Sequence, residues 1–518
     1  MRDQGDDHGR GDYVPLQDSP VAQALDDKRD GRASGYLSEL GRVGPLAGPV
    51  ALQSALAFSA NLVSLGFVGH LGPLTLSQAV LGLSCYNVSG VSVLLGLATG
   101  METQAGQAYG AKKYHLLGTI MQRAMLICSV AFCLIMCLWS QLNPILKAAG
   151  QDPHIVDGAV YFLWLNAPAL FCYFMSECMK RYLLAQGEVQ TPTVAMLVGA
   201  GMAPVYNYLF VQRLHWGLGG AAAANNCVQA TSALLIAGLL VRREWGKRGD
   251  AIRTWTGWSW NSFQEWGGYL KLALPSMAAT SLEWWLYEGL ILLAGVLPDA
   301  EIAVAVMGIG FNTTAFTYTV SLGISGAAST RVANELGAGS ATRARIAFQT
   351  VVALEAALMA VVIALGISLA SPWAHLFTSD EKVATATVAI LPIVFLSEMG
   401  DGFNGACGGV LRGAGRQLTG SYINGASYWG IGLPLCWFLA FKQDLGVTGL
   451  WYGLLSTTSL TGLLMLVACS RLDWGQEVTR ASEMAGGDDE AGALAAPVAG
   501  AADQELAFRG IAAFGAHG

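Results

Sequence analysis

The chain has 518 residues, 53% hydrophobic and only 13% charged, with a formal net charge of -7 at pH 7, whereas an ordinary soluble domain carries roughly 25% charged residues. Together with a mean hydropathy of +0.45, this excludes an ordinary soluble domain and indicates a multi-span membrane protein. Much of the net charge lies in two polar ends, so it says little about partners of the apolar core.

Residues 1–44 are polar, rich in Asp and Gly, and lack the apolar stretch of a signal peptide; they read as a disordered cytoplasmic tail before an uncleaved first span. Apolar runs of about 20 residues then fall near 46–68, 77–99, 118–142, 156–178, 191–212 and 218–241. A polar, Trp-containing linker, 243–266, follows. Six more runs lie near 268–297, 302–325, 346–370, 384–408, 417–440 and 446–470, and residues 473–518 form an Ala/Gly-rich second tail. The domain division is thus an N-terminal lobe, 45–242, and a C-terminal lobe, 267–472. One set of loops holds Lys112, Lys113, Lys180, Arg181, Arg242, Arg243, Lys247, Arg248, Arg253, Arg331, Arg343, Arg345, Arg412 and Arg416, whereas the opposite set holds only Lys147, Arg213, Lys382 and Lys442. By the positive-inside rule the first set, and with it both termini, is cytoplasmic.

The chain repeats itself. Thr103-Gln-Ala-Gly-Gln107-Ala-Tyr-Gly110-Ala111 after the second span aligns without a gap with Thr330-Arg-Val-Ala-Asn334-Glu-Leu-Gly337-Ala338 after the eighth. Tyr182-Leu-Leu-Ala-Gln-Gly187 after the fourth echoes Val410-Leu-Arg-Gly413-Ala-Gly415 after the tenth. The expected fold is therefore all-α: twelve transmembrane helices in two six-helix lobes related by a pseudo-twofold axis along the membrane normal, an arrangement suited to alternating access around a midplane site. Gln107, Asn334, Gly110 and Gly337 are expected to shape inner loops that move with the lobes.

Ionisable side chains at bilayer depth cost about 2.5 to 3.5 kcal/mol on insertion scales, so they normally face a protein or water-lined interior. Here they gather in the second half. Glu283 and Glu288 share the seventh span; Glu283 lies about 13 residues in, roughly 20 Å along a helix and close to mid-depth. Five residues turn a helix by about 140°, so the two acids occupy different faces. Pro275, preceding both, can kink this helix and free a carbonyl. The tenth span carries Glu398 and Asp401 on one face, continued by Asn404. Glu355 sits mid-span in the ninth. Burial favours the neutral form of a carboxylate and a nearby cation the ionised form, so proton and cation compete for such a site, which is the physical basis of antiport. Glu283, Glu288 and Asp401 are the candidates for proton and cation exchange, with Glu355, Glu398, Asn404 and Gln53 secondary.

Trp284, Trp285, Tyr287, Tyr318 and Tyr428 are candidate aromatics of a substrate cavity, because aromatic faces attract organic cations. The ten Cys lack the spacing of a metal site and read as packing residues. No catalytic residue, metal or cofactor is expected. The Gly-rich runs lack the ending of a phosphate loop, so energy has to come from an ion gradient.

Val68-Gly-His70-Leu-Gly72, Glu102-Thr103 with Gly106-Gln107-Ala-Tyr-Gly110-Ala111, Leu282-Glu-Trp-Trp-Leu-Tyr-Glu288, Ala327-Ala-Ser-Thr-Arg331-Val-Ala-Asn334-Glu-Leu-Gly337-Ala-Gly339 and Gly409-Val-Leu-Arg412-Gly413 stand in this order in the chain. Over residues 40 to 472 the sequence resembles the multidrug and toxic compound extrusion (MATE) family, in its eukaryotic branch. The resemblance implies an exporter of organic cations, other xenobiotics or secondary metabolites, driven by a proton or sodium gradient. It implies proton-coupling and substrate roles for Glu283, Glu288 and Asp401, the last placed by standing eleven residues before Arg412. Many bacterial members carry an Asp in the first span, where this chain offers Gln53, which speaks against an ion site in the first lobe. The leading expectation is a monomeric proton antiporter for organic cations, in the plasma or vacuolar membrane among lipids, without nucleic-acid partners. Its alternatives are an organic-anion exporter of the same fold, sodium coupling, and a lipid flippase.

Overall fold

The computed structural model describes residues 32–148, 151–246, 253–255, 257–378 and 380–494. The first half contains α1 (Arg32–Gly69), α2 (Leu74–Gly110), α3 (Tyr114–Ser140), α4 (Pro153–Leu165 and Ala167–Ala185), α5 (Gln190–Arg213) and α6 (Gly217–Gly246). The second contains α7 (Trp266–Ala294), α8 (Ala300–Gly337), α9 (Ala341–Ser368), α10 (Glu381–Gly413), α11 (residues 417–442) and α12 (Gly446–Ser470). A further helix, α13 (Trp474–Leu494), closes the described chain. There are no strands among the described residues.

Nine of these helices are long and apolar enough to cross a membrane, or ten when the two parts of α4 count as one span bent by 46°. The bend has a local cause: Pro168, at the start of the second part, has no N–H to continue the ladder, and the Asn166 side chain turns back onto the Phe162 carbonyl at 2.8 Å. The other two expected spans are α7 and α11, of membrane length but less apolar. Both carry the polar and aromatic residues of the candidate site. The helix of α7 runs unbroken through Pro275.

The duplication is visible in how the halves meet at the Lys/Arg-rich face. The first turns of α1 place Val43, Leu46 and Ala47 in a core with Ile324, Ala327 and Val332 of the second half. Reciprocally, the start of α7 places Tyr269 and Ala273 in the core of the first half, with Leu94, Leu97 and Met101. Each lobe thus lends its first helix to the other. Glycines permit the close crossings: a Cβ at Gly96 would lie 2.4 Å from Met277 Cα, and one at Gly323 would lie 2.4 Å from the Ala47 carbonyl oxygen. In the alignment of repeats, Gly96 and Gly323 are equivalent positions.

Both tails are shorter than expected. α1 begins at Arg32, inside the stretch read as a tail, because Glu39, Val43 and Leu46 recur at helical spacing and are buried against the second lobe. Arg331 pairs with Glu39 through Nε at 2.7 Å. At the other end, Trp474, Glu477 and Ala481 also recur at helical spacing and are buried. Glu477 accepts from Arg416 Nε and Nη2 at 2.9 and 2.6 Å. Residues 1–31 and 495–518 lie outside the described residues. The described linker residues 253–255 and 257–259 fold onto the first lobe: Thr254 donates its N–H to Glu244 at 3.1 Å and meets the Tyr182 hydroxyl, and Gln122 bridges the Gly257 carbonyl at 2.6 Å and the Ser259 N–H at 2.9 Å.

Candidate functional site

The second lobe encloses a polar cluster built on five helices. Asp401 of α10 is its centre: Tyr287 of α7 donates its hydroxyl to Oδ2 at 2.7 Å, and Tyr428 of α11 donates to Oδ1 at 3.2 Å. Asn404, one helical turn on, donates to the Tyr428 hydroxyl at 3.2 Å. Glu283 stands one turn before Tyr287 on α7 and is half-buried. Asp401, Arg412 and Asn404 are the groups that act on it most strongly. Tyr318 of α8 completes this side, its hydroxyl packed where a Cβ on Gly405 would come within 3.3 Å.

Helical geometry explains the selection. Glu283 and Tyr287 are four residues apart on one face, as are Asp401 and Gly405, with Asn404 three from Asp401. Around Tyr428, residues Gly425–Gly432 adopt a wider π-type turn, a distortion common at functional sites.

Behind Asp401 the lobe holds two more acids. Glu398 accepts from Thr317 at 2.6 Å, and Glu355 from Ser321 at 2.6 Å. In each carboxyl the second oxygen is buried without a hydrogen-bond partner. Thr317 and Ser321 lie four apart on α8, so one face of that helix serves both acids. These hydroxyls escaped the sequence reading, although the spacing Thr313, Thr317, Ser321, Ser325 is a polar stripe through an apolar span.

Other candidates lie apart. Glu288 is on a different face of α7, on the side of Cys85 of α2. Trp284 packs against the core of the first lobe, and Trp285 donates its indole N–H to the Val88 carbonyl of α2 at 3.0 Å. One and two residues after Glu283 mean rotations of about 100° and 200°, which turn both indoles away from the acid cluster. The aromatics that meet Asp401 are tyrosines, backed by Phe311 edge-on to Tyr287 at 5.0 Å between ring centroids. Gln53 bonds to Thr193 at 2.9 Å and ties α1 to α5.

The repeated motifs form a seal between the lobes at the Lys/Arg-rich face. Gln107 donates its amide to the Gly413 carbonyl at 3.2 Å, and Asn334 donates to the Ala185 carbonyl at 3.3 Å. Gln107 and Asn334 are equivalent in the repeat, and so are Ala185 and Gly413, so the two bonds are symmetry mates. A Cβ at Gly110 would lie 2.0 Å from the Asn334 carbonyl oxygen, and one at Gly337 2.1 Å from that of Gln107. These residues therefore do more than shape loops: they are the helix ends where the lobes touch.

The MatE family model matches the chain twice, over residues 49–209 and 275–438. The two matches coincide with the two lobes. The chain belongs to the MATE family of multidrug and toxin extrusion transporters. It is 34% identical over 445 residues to Protein DETOXIFICATION 17 of Arabidopsis thaliana, covering 86% of this chain and 92% of that one. It is 35% identical over 444 residues to multidrug and toxin extrusion protein 2 of Mus musculus, covering 85% and 76%. The crystal structure of the eukaryotic MATE transporter AtDTX14 superposes with a TM-score of 0.82 at 29% identity, covering 87% of this chain and all of that one. A MATE chain accordingly is an integral, multi-pass membrane transporter of small molecules, and its architecture of twelve helices in two lobes is the one laid out by the repeat.

Proposed function

We propose that this MATE protein exports organic cations from the cytosol in exchange for protons, with Glu283 and Asp401 as the exchange pair. The observation that carries the reading is the setting of Asp401, a carboxylate buried between two tyrosine hydroxyls and facing the half-buried Glu283. Two carboxylates in an enclosed site with aromatic walls can hold either a proton or an organic cation, and the two ligands exclude each other by charge. The Lys/Arg-rich face is cytosolic in this reading, so the sealed arrangement is the one closed to the cytosol.

Purified protein in vesicles with an imposed pH gradient tests the proposal. A fluorescent organic cation should accumulate in acid-inside vesicles, and Glu283→Gln or Asp401→Asn should abolish accumulation while Glu288→Gln retains part of it. Accumulation that survives both neutralising substitutions refutes the exchange pair. Accumulation that follows a sodium gradient refutes proton coupling alone, and transport of organic anions in place of cations refutes the substrate class.

A further inference from the structure

A cavity of about 440 Å³ lies between α1 of the first lobe and α8, α9 and α10 of the second. Leu52 and Ala55, midway along α1, form one wall; Val362, Leu365 and Leu369, at the far end of α9, form another. α9 starts at the Lys/Arg-rich face, so its far end sets the cavity in the opposite half of the membrane. α1 and α9 bury only 6% and 22% of their most apolar stretches within the bundle, and Leu52, Leu365 and Leu369 are exposed. The cavity therefore meets the bilayer.

Its chemistry narrows the occupant. The polar side chains of the lining are bonded elsewhere: the Thr317 hydroxyl donates to Glu398 at 2.6 Å, that of Thr319 to the Phe316 carbonyl at 2.7 Å, and the Trp373 indole N–H to the Thr313 hydroxyl at 2.9 Å. Water, which needs two to four polar partners in a buried site, gains little there. An organic cation would give up its hydration without meeting a charge, because Glu398, behind Thr317, is only 1% exposed. A further helix, about 10 to 12 Å across, is too thick. A hydrocarbon chain is thin, gains by contact alone, and needs no polar partner. The volume is within the range of about 300 to 1,000 Å³ usual for ligand sites.

The duplication does not impose this cavity. Carried on through α3 and α9 without a gap, the repeat sets Gly366 opposite Trp139. The Trp139 indole is fully buried and donates to Ser89 at 2.8 Å, whereas Gly366 lines the cavity with no side chain of its own. We propose that one acyl chain of a bilayer lipid, from the leaflet away from the Lys/Arg-rich face, occupies the cavity and bridges α1 of one lobe to α8, α9 and α10 of the other. Glu283 and Asp401 take no part in this site, which is independent of the identity of the cargo.

The purified full chain, in a steroid-based detergent that offers no alkyl chain, is titrated with phosphatidylcholine brominated in mid-chain. Bromine quenches tryptophan on contact, and the quenching lost in Trp373→Phe is that of Trp373, which lines the cavity. It should saturate with one lipid per chain and be reversed by unbrominated phosphatidylcholine. Ala55→Phe and Val362→Phe fill the cavity from two walls and displace two or more methylenes, so the half-saturating concentration should rise about tenfold or more. Val361→Phe, beside the lining and itself exposed, should leave it within about threefold. Should one filling variant fail to fold, read from its melting curve, the other carries the comparison. Quenching that grows with lipid and never saturates would show passing contact alone, and unchanged half-saturation in the filled variants would put the chain elsewhere; either result overturns the proposal. Displacement of the lipid by an organic cation overturns it as well, by making the cavity part of the cargo route.

Discussion

The two glycines of the seal offer a quantitative test of alternating access. Gly337→Ala places a methyl carbon 2.1 Å from the Gln107 carbonyl oxygen, and Gly110→Ala places one 2.0 Å from that of Asn334. Even close carbon–oxygen contacts settle at about 3.3 to 3.6 Å, so the helix ends must separate by about 1.2 Å. Overpacking of that kind costs about 1 to 3 kcal/mol. The contact joins two lobes, so the cost falls on the sealed state and vanishes when they part. At 1.4 kcal/mol per decade the equilibrium moves about 5- to 150-fold toward opening at the basic face. Distance measurement between spin labels at residues 112 and 340, in a background lacking accessible cysteines, reports the shift directly. Because the positions are symmetry mates, the two variants should agree within about threefold, and Gly201→Ala or Gly238→Ala, where an added Cβ meets nothing within 4 Å, should leave the distribution unchanged. Unchanged distances in Gly110→Ala and Gly337→Ala, or equal shifts in the controls, would refute the reasoning.

Further outcomes follow from individual contacts. Tyr287→Phe removes a hydroxyl bonded to a buried carboxylate at 2.7 Å, a bond of the class worth about 1.5 to 3 kcal/mol, so exchange in pH-jump vesicles should fall by about 10- to 100-fold, whereas Trp284→Phe should leave it within about threefold. Gln53→Ala breaks the bond to Thr193 and should lower thermal stability by about 1 kcal/mol, with the coupling ion unchanged; a change of the coupling ion in that variant would contradict its structural role. Glu477→Ala removes the buried partner of Arg416, which is itself 34% exposed and can rehydrate. The loss should therefore stay near 1 to 2 kcal/mol, read as a lowered melting temperature in detergent.

The architecture was legible because its physics is one-dimensional. Span length, charge bias and repeat can be read without knowing any contact, and they yielded two six-helix halves. The tails were misjudged for a related reason: near residues 32–44 and 474–484 the sequence is polar overall, and the spacing of Glu39 with Val43, or of Glu477 with Trp474 and Ala481, signals burial only once there is a surface to bury against. At the site, counting turns separated Glu283 from Glu288 and grouped Asp401 with Asn404. The same arithmetic applied to Trp284 and Trp285 would have placed them on another face. What no one-dimensional pattern contains is partnership across the bundle, such as Tyr287 and Tyr428 on Asp401, or Arg412 on Glu102.

The division of labour between the lobes follows from what duplication leaves symmetric and what it does not. The seal is symmetric: amide to carbonyl and glycine to carbonyl, twice over, with neutral groups whose interaction is indifferent to protonation. Symmetric neutral contacts can set how firmly the face closes but cannot register what is bound. The carboxylates Glu283, Asp401, Glu398 and Glu355 all lie in the second lobe, so sensing has to begin there. The charged pairs that cross between the lobes, Arg412 with Glu102 at 3.1 Å and Arg331 with Glu39 at 2.7 Å, are contacts the repeat does not mirror: the other half has Leu184 and Gln104 where these arginines stand.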